Sequence, residues 1–421
     1  MKRVAKKGQR INRLMEVQEM TEEQMHFEEE MATIQSLIGL GMKAATERIQ
    51  KDFTALVGKA YQRGKPAGPW GSNPGSIYLG DQKVAIEVPR ARNRRTGEEM
   101  ALRSYERLQS PRVIEDLALR RVINGISMRK YEEAALSIPE TFGIKRDSVS
   151  RRWIRASAKK LAALNERDLS KYDIVAIFLD GKHFSTDHEI VVALGVTLSG
   201  EKVILGIVET STENYVVCRH FVRKLVERGL RVEDPILCII DGGKGLHKGL
   251  KEVLEDQAVI QRCQWHKREN VLKYLPRGRQ AEFRRRLQDA YEQPTYDEAK
   301  KQLSKIKTEL RELNLSAVNS LEEGFEETLT LHRLGLFTQL GRSFKTTNPI
   351  ENVNSLLGIY TDRVDYWKNS EQRQRWVATA LLEAEPKLNK VAGYQYLQQL
   401  RSTMTQLVGK RKSTMELKTA A

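Results

Sequence analysis

The sequence predicts an α/β protein: a mixed sheet that begins with antiparallel strands, interrupted by an all-helical insertion and preceded by a helical region. Three observations predict it. Between Asp173 and Cys263, short apolar runs rich in β-branched residues and two amphipathic helices follow in the order βββαβαβ, whereas a doubly wound fold would alternate strand and helix from the start. From Gln264 to about Leu340 the periodicity is helical throughout, and basic, with Arg284, Arg285 and Arg286 consecutive. Before Asp173, most of the chain again has helical periodicity.

Taken in order, residues 1 to about 60 read as helical and highly charged, made locally acidic by Glu16, Glu22, Glu23 and Glu28 to Glu30. Gly64 to Gly75 is rich in Gly, Pro and Ser and reads as a break built from turns. Gly80 to Val88 alternates as a strand does and runs into a basic cluster, Arg90, Arg92, Arg94 and Arg95. Arg103 to Leu164 is helical. Asp173 to Asp180 is a buried strand, Glu189 to Leu198 a second, and Lys202 to Val208 a third, with Ser199-Gly200 turning the last two into a hairpin. Asn214 to Gly229 is an amphipathic helix that stops at a glycine. Pro235 to Asp241 is the fourth strand, Lys244 to Asp256 a helix, and Ala258 to Cys263 the fifth strand.

Composition narrows the function. The chain has 421 residues, enough for two or three domains, and its 71 Lys and Arg against 55 Asp and Glu give a net charge of +16. That excess favours a polyanionic partner. Three cysteines, Cys218, Cys238 and Cys263, make no disulfide framework and fit a reducing cytoplasm. No apolar run approaches the roughly 20 residues of a membrane helix, so no membrane partner is expected.

Two features carry the chemistry. The first strand ends in Asp180-Gly181-Lys182 and the fourth in Asp241-Gly242-Gly243-Lys244, so each offers a carboxylate where a buried strand emerges, with a glycine that permits a sharp turn. Such carboxylates can converge, and at close range they repel unless a hard divalent cation lies between them. Strand-end Asp-Gly is also ordinary turn chemistry. A third carboxylate, Glu351, sits in Thr346-Thr347-Asn348-Pro349-Ile350-Glu351-Asn352-Val353-Asn354, which opens a helix whose apolar stripe is Val353, Leu356, Leu357 and Tyr360. With Asn348 as cap and Pro349 at the first helical position, Glu351 suits a capping box as well as it suits a ligand role.

At these residues the chain resembles Mutator-type transposases of bacterial insertion sequences, members of the DDE recombinase superfamily. The resemblance rests on FLDGKHF around Asp180, VVALGVTLSGEKVILGIVETSTEN from Val191, IIDGGKGL around Asp241, QRCQWHKRENV around Cys263, TTNPIENVNS around Glu351 and RWVATALLEAE from Arg375, and it covers residues 80 to 400. It implies a ribonuclease-H-like core in which Asp180, Asp241 and Glu351 are the catalytic residues and bind two Mg²⁺ or Mn²⁺ ions. It also accounts for the long gap before Glu351 by a helical insertion. The implied activity is binding of the element's terminal inverted repeats, cleavage there, and joining to target DNA by two-metal phosphoryl transfer. Double-stranded DNA is then the partner, a homodimer or higher assembly on DNA is expected, and the place of action is the cytoplasm, at the nucleoid. A transposase-derived DNA-binding regulator would have lost at least one of the three acids, and all three are present. A ribonuclease acting on RNA would not need the long helical insertion or the DNA-reading segment described next.

That segment spans residues 113 to 161, which look like a helix-turn-helix. On its last helix, Ser148 to Leu161, Val149, Trp153 and Ala156 form an apolar stripe, Arg151, Arg155 and Lys159 stand opposite, and Arg152 lies on the flank, as in a helix that reads DNA. Cys263 and His266 have the spacing of half a zinc site, but Cys238 and His247 are the only further candidates and four ligands are needed. A core role is expected for Cys263 and a place near the acids for His266. The domain reading is therefore 1–75 for the helical N-terminal region and linker, 76–168 for the DNA-binding region, 169–263 for the first part of the core, 264–343 for the helical insertion, 344–400 for the completion of the core, and 401–421 for a tail.

Overall fold

A computed structural model describes residues 41–58, 65–79, 82–109, 122–123, 146–185, 188–210, 214–362, 364 and 366–419. Apart from 122–123, the expected helix-turn-helix lies outside the described residues until its last helix. The chain divides into two compact units, residues 1–153 and 154–421.

The first unit holds a helix over 41–57 (α1), strands β1 (Ala67–Leu79), β2 (Gln82–Asn93) and β3 (Glu99–Met100), helix α2 (Arg103–Leu108) and the start of α3 (Arg146–Asn165). The segment expected as a break is the first strand of a three-stranded sheet ordered β1-β2-β3. Its prolines do not prevent this, because β1 lies at the sheet edge, where a missing N–H leaves no ladder bond unmade. A bulge between Pro69 and Ser72, with Gly71 at φ 77°, absorbs the irregular run. β2 continues beyond Val88 through the arginine cluster.

The second unit is built on a five-stranded sheet ordered β6-β5-β4-β7-β8, with β4 (Ile174–Ser185) at its centre. β5 (His188–Thr197) and β6 (Lys202–Thr210) run antiparallel in sequence, whereas β7 (Ile236–Ile240) and β8 (Ala258–Arg262) join β4 as parallel strands. Period-two alternation divides the two faces. Ile177, Leu179, Cys238 and Ile240 enter a core with Phe221 and Leu225 of α4 (Tyr215–Glu227) and Leu246 and Leu250 of α5 (Lys244–Leu254). Ala176, Phe178 and Asp180 take the opposite face, where Phe178 stacks on Phe344 with ring centroids 5.7 Å apart.

Residues 264–344 form seven helices: α6 (Gln264–Leu272), α7 (Arg277–Tyr291), α8 (Tyr296–Leu313), α9 (Leu315–Glu322), α10 (Phe325–Thr328), α11 (Thr330–Arg333) and α12 (Phe337–Phe344). Phe283, Leu287, Leu303 and Leu310 give this part a core of its own. Then follow α13 (Asn348–Thr361), α14 (Ser370–Ala384) and α15 (Leu397–Thr419). Residues 401–408, expected as the start of a tail, continue α15, which buries Met404 and Val408 and ties Arg401 to Asp173 and to the Ile174 carbonyl.

Phe344 is fully buried between the sheet and the helices that lead to α13. Phe344→Ala should lower unfolding stability by about 3–5 kcal/mol. Urea denaturation with a midpoint equal to that of the unaltered chain would show that this stack does not join the two parts.

Candidate active site at the ends of the parallel strands

Strand register places the two aspartates. β4 and β7 are parallel with Leu179 opposite Ile240, so the next residue on each, Asp180 and Asp241, stand beside one another. Asp-Gly serves two purposes here. After Asp241 the chain turns as expected: Gly242 has φ 117° and the Gly243 N–H donates to Asp241 Oδ1 at 2.9 Å. After Asp180 it does not turn, and β4 runs on to Ser185 with Gly181 opposite Val191. Gly181 supplies room instead, since a Cβ there would lie 1.8 Å from Glu189 Oε1.

α13 brings the third acid to the same place. The helix begins one residue earlier than the capping box requires, with Thr347 at the cap position and no side-chain cap bond. The Glu351 carboxylate is held by a hydroxyl: Thr347 Oγ1 donates to Glu351 Oε1 at 2.6 Å. Val353, Leu357 and Tyr360 are buried as the stripe predicts, and Leu356 is half-buried. Asn354, three residues after Glu351 and so on a neighbouring face, donates from Nδ2 to Asp180 Oδ2 at 2.9 Å. Its Oδ1 is buried without a hydrogen-bond partner. Lys182, two residues after Asp180, donates to the Asn354 carbonyl at 3.0 Å and pins α13 to β4.

β8 brings Cys263 and His266. The Cys263 N–H donates to the Ile240 carbonyl at 2.8 Å, which fixes the start of α6 beside Asp241. Cys263 is fully buried and caps α6, its Sγ accepting from the His266 N–H at 3.5 Å. Thr347 Oγ1 lies 3.4 Å from that sulfur and 3.3 Å from His266 Nδ1. The hydroxyl has one proton, and its short contact to Glu351 uses it, so its lone pairs face an Nδ1–H. Cys238 lies in the sheet core and His247 pairs with Glu327 at 2.7 Å, so neither joins the Cys263–His266 pair.

The electrostatics follow from this crowding. Burial, and then the charge of Asp241, raise the Asp180 pKa from 3.8 to about 6, against the opposing pull of His266. Burial pulls the His266 pKa down, but Cys263, Asp241 and Glu351 outweigh it and lift the group to about 9. Burial pushes the Cys263 thiol up, and its bonds from His266 bring it below its ordinary value. Among the described residues no three His, Cys, Asp or Glu side chains are gathered tightly enough to hold an ion as they stand. The three carboxylates and the unpartnered amide oxygen of Asn354 offer oxygen donors, the kind that hard divalent cations take.

Of the remaining expected residues, Arg151, Arg155 and Lys159 are exposed on α3. Arg152 is only 7% exposed, and it donates to the Tyr78 hydroxyl at 3.1 Å and covers that ring. Sequence reasoning singled out neither Thr347 nor Asn354, and for Lys182, which its place just past Asp180 marks as a candidate phosphate contact, it did not foresee the bond to α13. The i, i+4 spacing of Thr347 to Glu351 was a signal for the first; nothing local pointed to Asn354.

Residues 15–390 match the sequence model of a family described as transposases, Mutator family. The transposase for insertion sequence element IS6120 of Mycolicibacterium smegmatis is 27% identical over 204 residues, which are 47% of this chain and 62% of that protein. The transposase for ISRM5 of Rhizobium meliloti strain 1021 is 26% identical over 330 residues, 76% of this chain and 79% of that protein. The transposase for IS256 in transposon Tn4001 of Staphylococcus aureus is 24% identical over 319 residues, 71% of this chain and 76% of that protein. The chain thus spans less than two thirds of the first relative and about three quarters of the other two.

The strained carboxylate has a measurable consequence. With the folded pKa raised, the folded chain holds the Asp180 proton more tightly than the unfolded one. The cost of ionisation is absent below the unfolded value of 3.8, grows as pH rises, and is complete above about 6. Asp180→Asn, which keeps an acceptor for Asn354, should therefore raise stability near pH 7 by about 1–3 kcal/mol and flatten the pH dependence of stability across that window. A variant no more stable than the unaltered chain near pH 7 would show that the buried charge of Asp180 does not burden the fold.

Proposed function

The chain belongs to the Mutator family of transposases, and from that premise we propose that it moves an insertion sequence by binding the element's ends, cleaving there and joining them to target DNA. The observation that carries the chemistry is the register of β4 and β7, which sets Asp180 beside Asp241, with Glu351 near enough to act on the Asp180 charge. The sheet order, three antiparallel strands followed by two parallel ones, supports a ribonuclease-H-like core.

In this reading Asp180, Asp241 and Glu351 are the catalytic acids and hold two divalent ions, Mg²⁺ or Mn²⁺. When bound, the ions supply Lewis-acid stabilisation of the phosphodiester and an activated water. The chain's own groups orient the acids: Asn354 turns Asp180, the Gly243 N–H turns Asp241, and Thr347 turns Glu351. His266, positively charged below its raised pKa of about 9, suits a phosphate oxygen beside the acids. Arg151, Arg155 and Lys159 face outward on α3 and suit duplex phosphates, whereas Arg152 serves to hold α3 against Tyr78. Two ends must be joined to one target, so the active assembly on DNA contains at least two copies. No helix among the described residues is long and apolar enough to cross a membrane.

Asp180→Asn, Asp241→Asn and Glu351→Gln should each reduce cleavage of labelled element ends and strand transfer to background while DNA binding persists. Mg²⁺ or Mn²⁺ should be required, and full activity in excess chelator, or ordinary rates in any of the three variants, would remove the metal or that residue from the site. Replacing Arg151 and Arg155 together by Ala should weaken binding to element ends and flatten its salt dependence. An unchanged salt slope would show that α3 does not face the DNA.

A further inference from the structure

The basic cluster that follows Val88 is not used by the chemistry above. It lies on β2, and the bulge in β1 decides which way it points. Before the bulge, Val84 and Val88 are buried and Val88 packs with Ile49 of α1; beyond it, Ala91 is fully buried with Val57 of the same helix. Even positions thus face α1 on one side of the bulge and odd positions on the other, as the added local twist of a bulge allows. Arg90, Arg92 and Arg94 are thereby turned to the face of the ribbon away from α1. Arg90 is matched by Glu99 in a two-pronged ion pair, 2.6 Å at its shorter contact, and Arg92 acts on Glu99 only at longer range. Arg92 lies over Trp70, its guanidinium carbon 4.4 Å from the ring centroid, and makes no ion pair among the described residues. Trp70 sits in the bulge and is 56% exposed. Arg94 anchors its Nε on the Ala67 carbonyl at 3.3 Å, and Arg95 follows in the exposed turn closed by Gly97 at φ 73°.

We propose that this end of the β1–β2 ribbon is a second DNA-binding surface, in addition to α3, that grips the phosphate backbone of duplex DNA through Arg92 and Arg94 with Trp70 seated between them and the sugar edge. The inference rests on the reading of the chain as a DNA recombinase. The occupant follows from charge. The guanidinium held over an indole is already oriented, so little rotamer freedom is lost on binding a phosphate, and neither Arg92 nor Arg94 makes an ion pair among the described residues. With Arg92 held on the indole and Arg94 on the Ala67 carbonyl, the proposed contacts are to phosphates, so the surface should bind duplexes without regard to sequence.

The test compares the full-length chain with the double variant Arg92→Gln, Arg94→Gln on two duplexes of equal length, one carrying the element's end and one of unrelated sequence, over a range of salt. The slope of log affinity against log salt should fall by about two units, roughly one for each phosphate that is no longer neutralised, and by the same amount on both duplexes. Trp70→Ala, at an exposed position that leaves all charges in place, should weaken binding to both while lowering the slope by no more than about one unit. A folded double variant, judged by circular dichroism and its thermal midpoint, with an unchanged slope would overturn the proposal. So would a loss confined to the element's end, which would make the ribbon a base reader. If the unaltered chain bound neither duplex, the recombinase reading itself would fall, and the variants would not be needed to show it.

Discussion

Two carboxylates held side by side at the ends of adjacent parallel strands repel each other, and the second unit has to keep them there. Asp180 cannot escape by rotating away, because its backbone is fixed in the middle of the sheet between β5 and β7. The strands that hold it are anchored by side chains such as Ile177, Leu179, Ile239 and Ile240, which have almost no exposure. A slip of one residue in β4 would exchange the faces. It would drive Asp180 into the apolar layer of α4 and α5 and put Leu179 among the acids. The burden of the charge pair and the stiffness of the sheet are thus one constraint.

The helical insertion meets the same constraint from the other side. It leaves β8 at Cys263 and must return α13 to the Asp180 face. Buried polar contacts seat its far end on β8: Thr330 Oγ1 donates to the Ile260 carbonyl at 2.6 Å, and the Gln261 and Gln264 amides both donate to the Thr328 carbonyl. Arg262 reaches Glu327, which also holds His247. The Arg262 guanidinium lies against Gly242 on one side and Gly324 on the other, where a Cβ would meet it at 3.2 Å and 2.4 Å respectively. Glycine at these positions lets one arginine brace both the turn after Asp241 and the insertion. Such groups, buried and bonded, are costly to leave unpaired, which favours a single seating of the insertion.

The core strands were legible because their signal is local and repeated. Asp173 to Asp180, Pro235 to Asp241 and Ala258 to Cys263 are apolar runs of strand length, and buried strands need nothing more. β1 was not legible, because Pro69, Gly71 and Pro74 are turn residues by local chemistry, and only the edge position of the strand makes them tolerable. The extension of β4 past Gly181 was hidden for a similar reason: the glycine answers to Glu189 on the neighbouring strand, not to its own turn. Arg152 on the flank of α3 could not be told from its exposed neighbours until Tyr78 of β1 was placed beneath it. In the candidate site, strand ends and a helix start left Asp180, Asp241 and Glu351 open to turn and cap roles as well, and the family resemblance was what joined them; Asn354 and Lys182 act across the chain, and no spacing reveals such partners.

The donors that orient the acids share a property. Asp180 takes an amide N–H from Asn354, Asp241 a backbone N–H from Gly243, and Glu351 a hydroxyl from Thr347. All three are neutral. A lysine or arginine in any of these places would fix the carboxylate equally well and would cancel its charge. The nearby Lys182 is turned instead to the Asn354 carbonyl, and Arg262 to Glu327. Neutral donors fix direction while leaving negative charge in place, and burial, then the charge of Asp241, raises Asp180 to about 6. The positive group that does act on Asp180, His266, reaches it by charge alone, with its Nδ1 committed to Thr347. The three acids are thus aligned by neutral donors, and the charge that answers theirs is that of His266, which Cys263, Asp241 and Glu351 in turn hold positive.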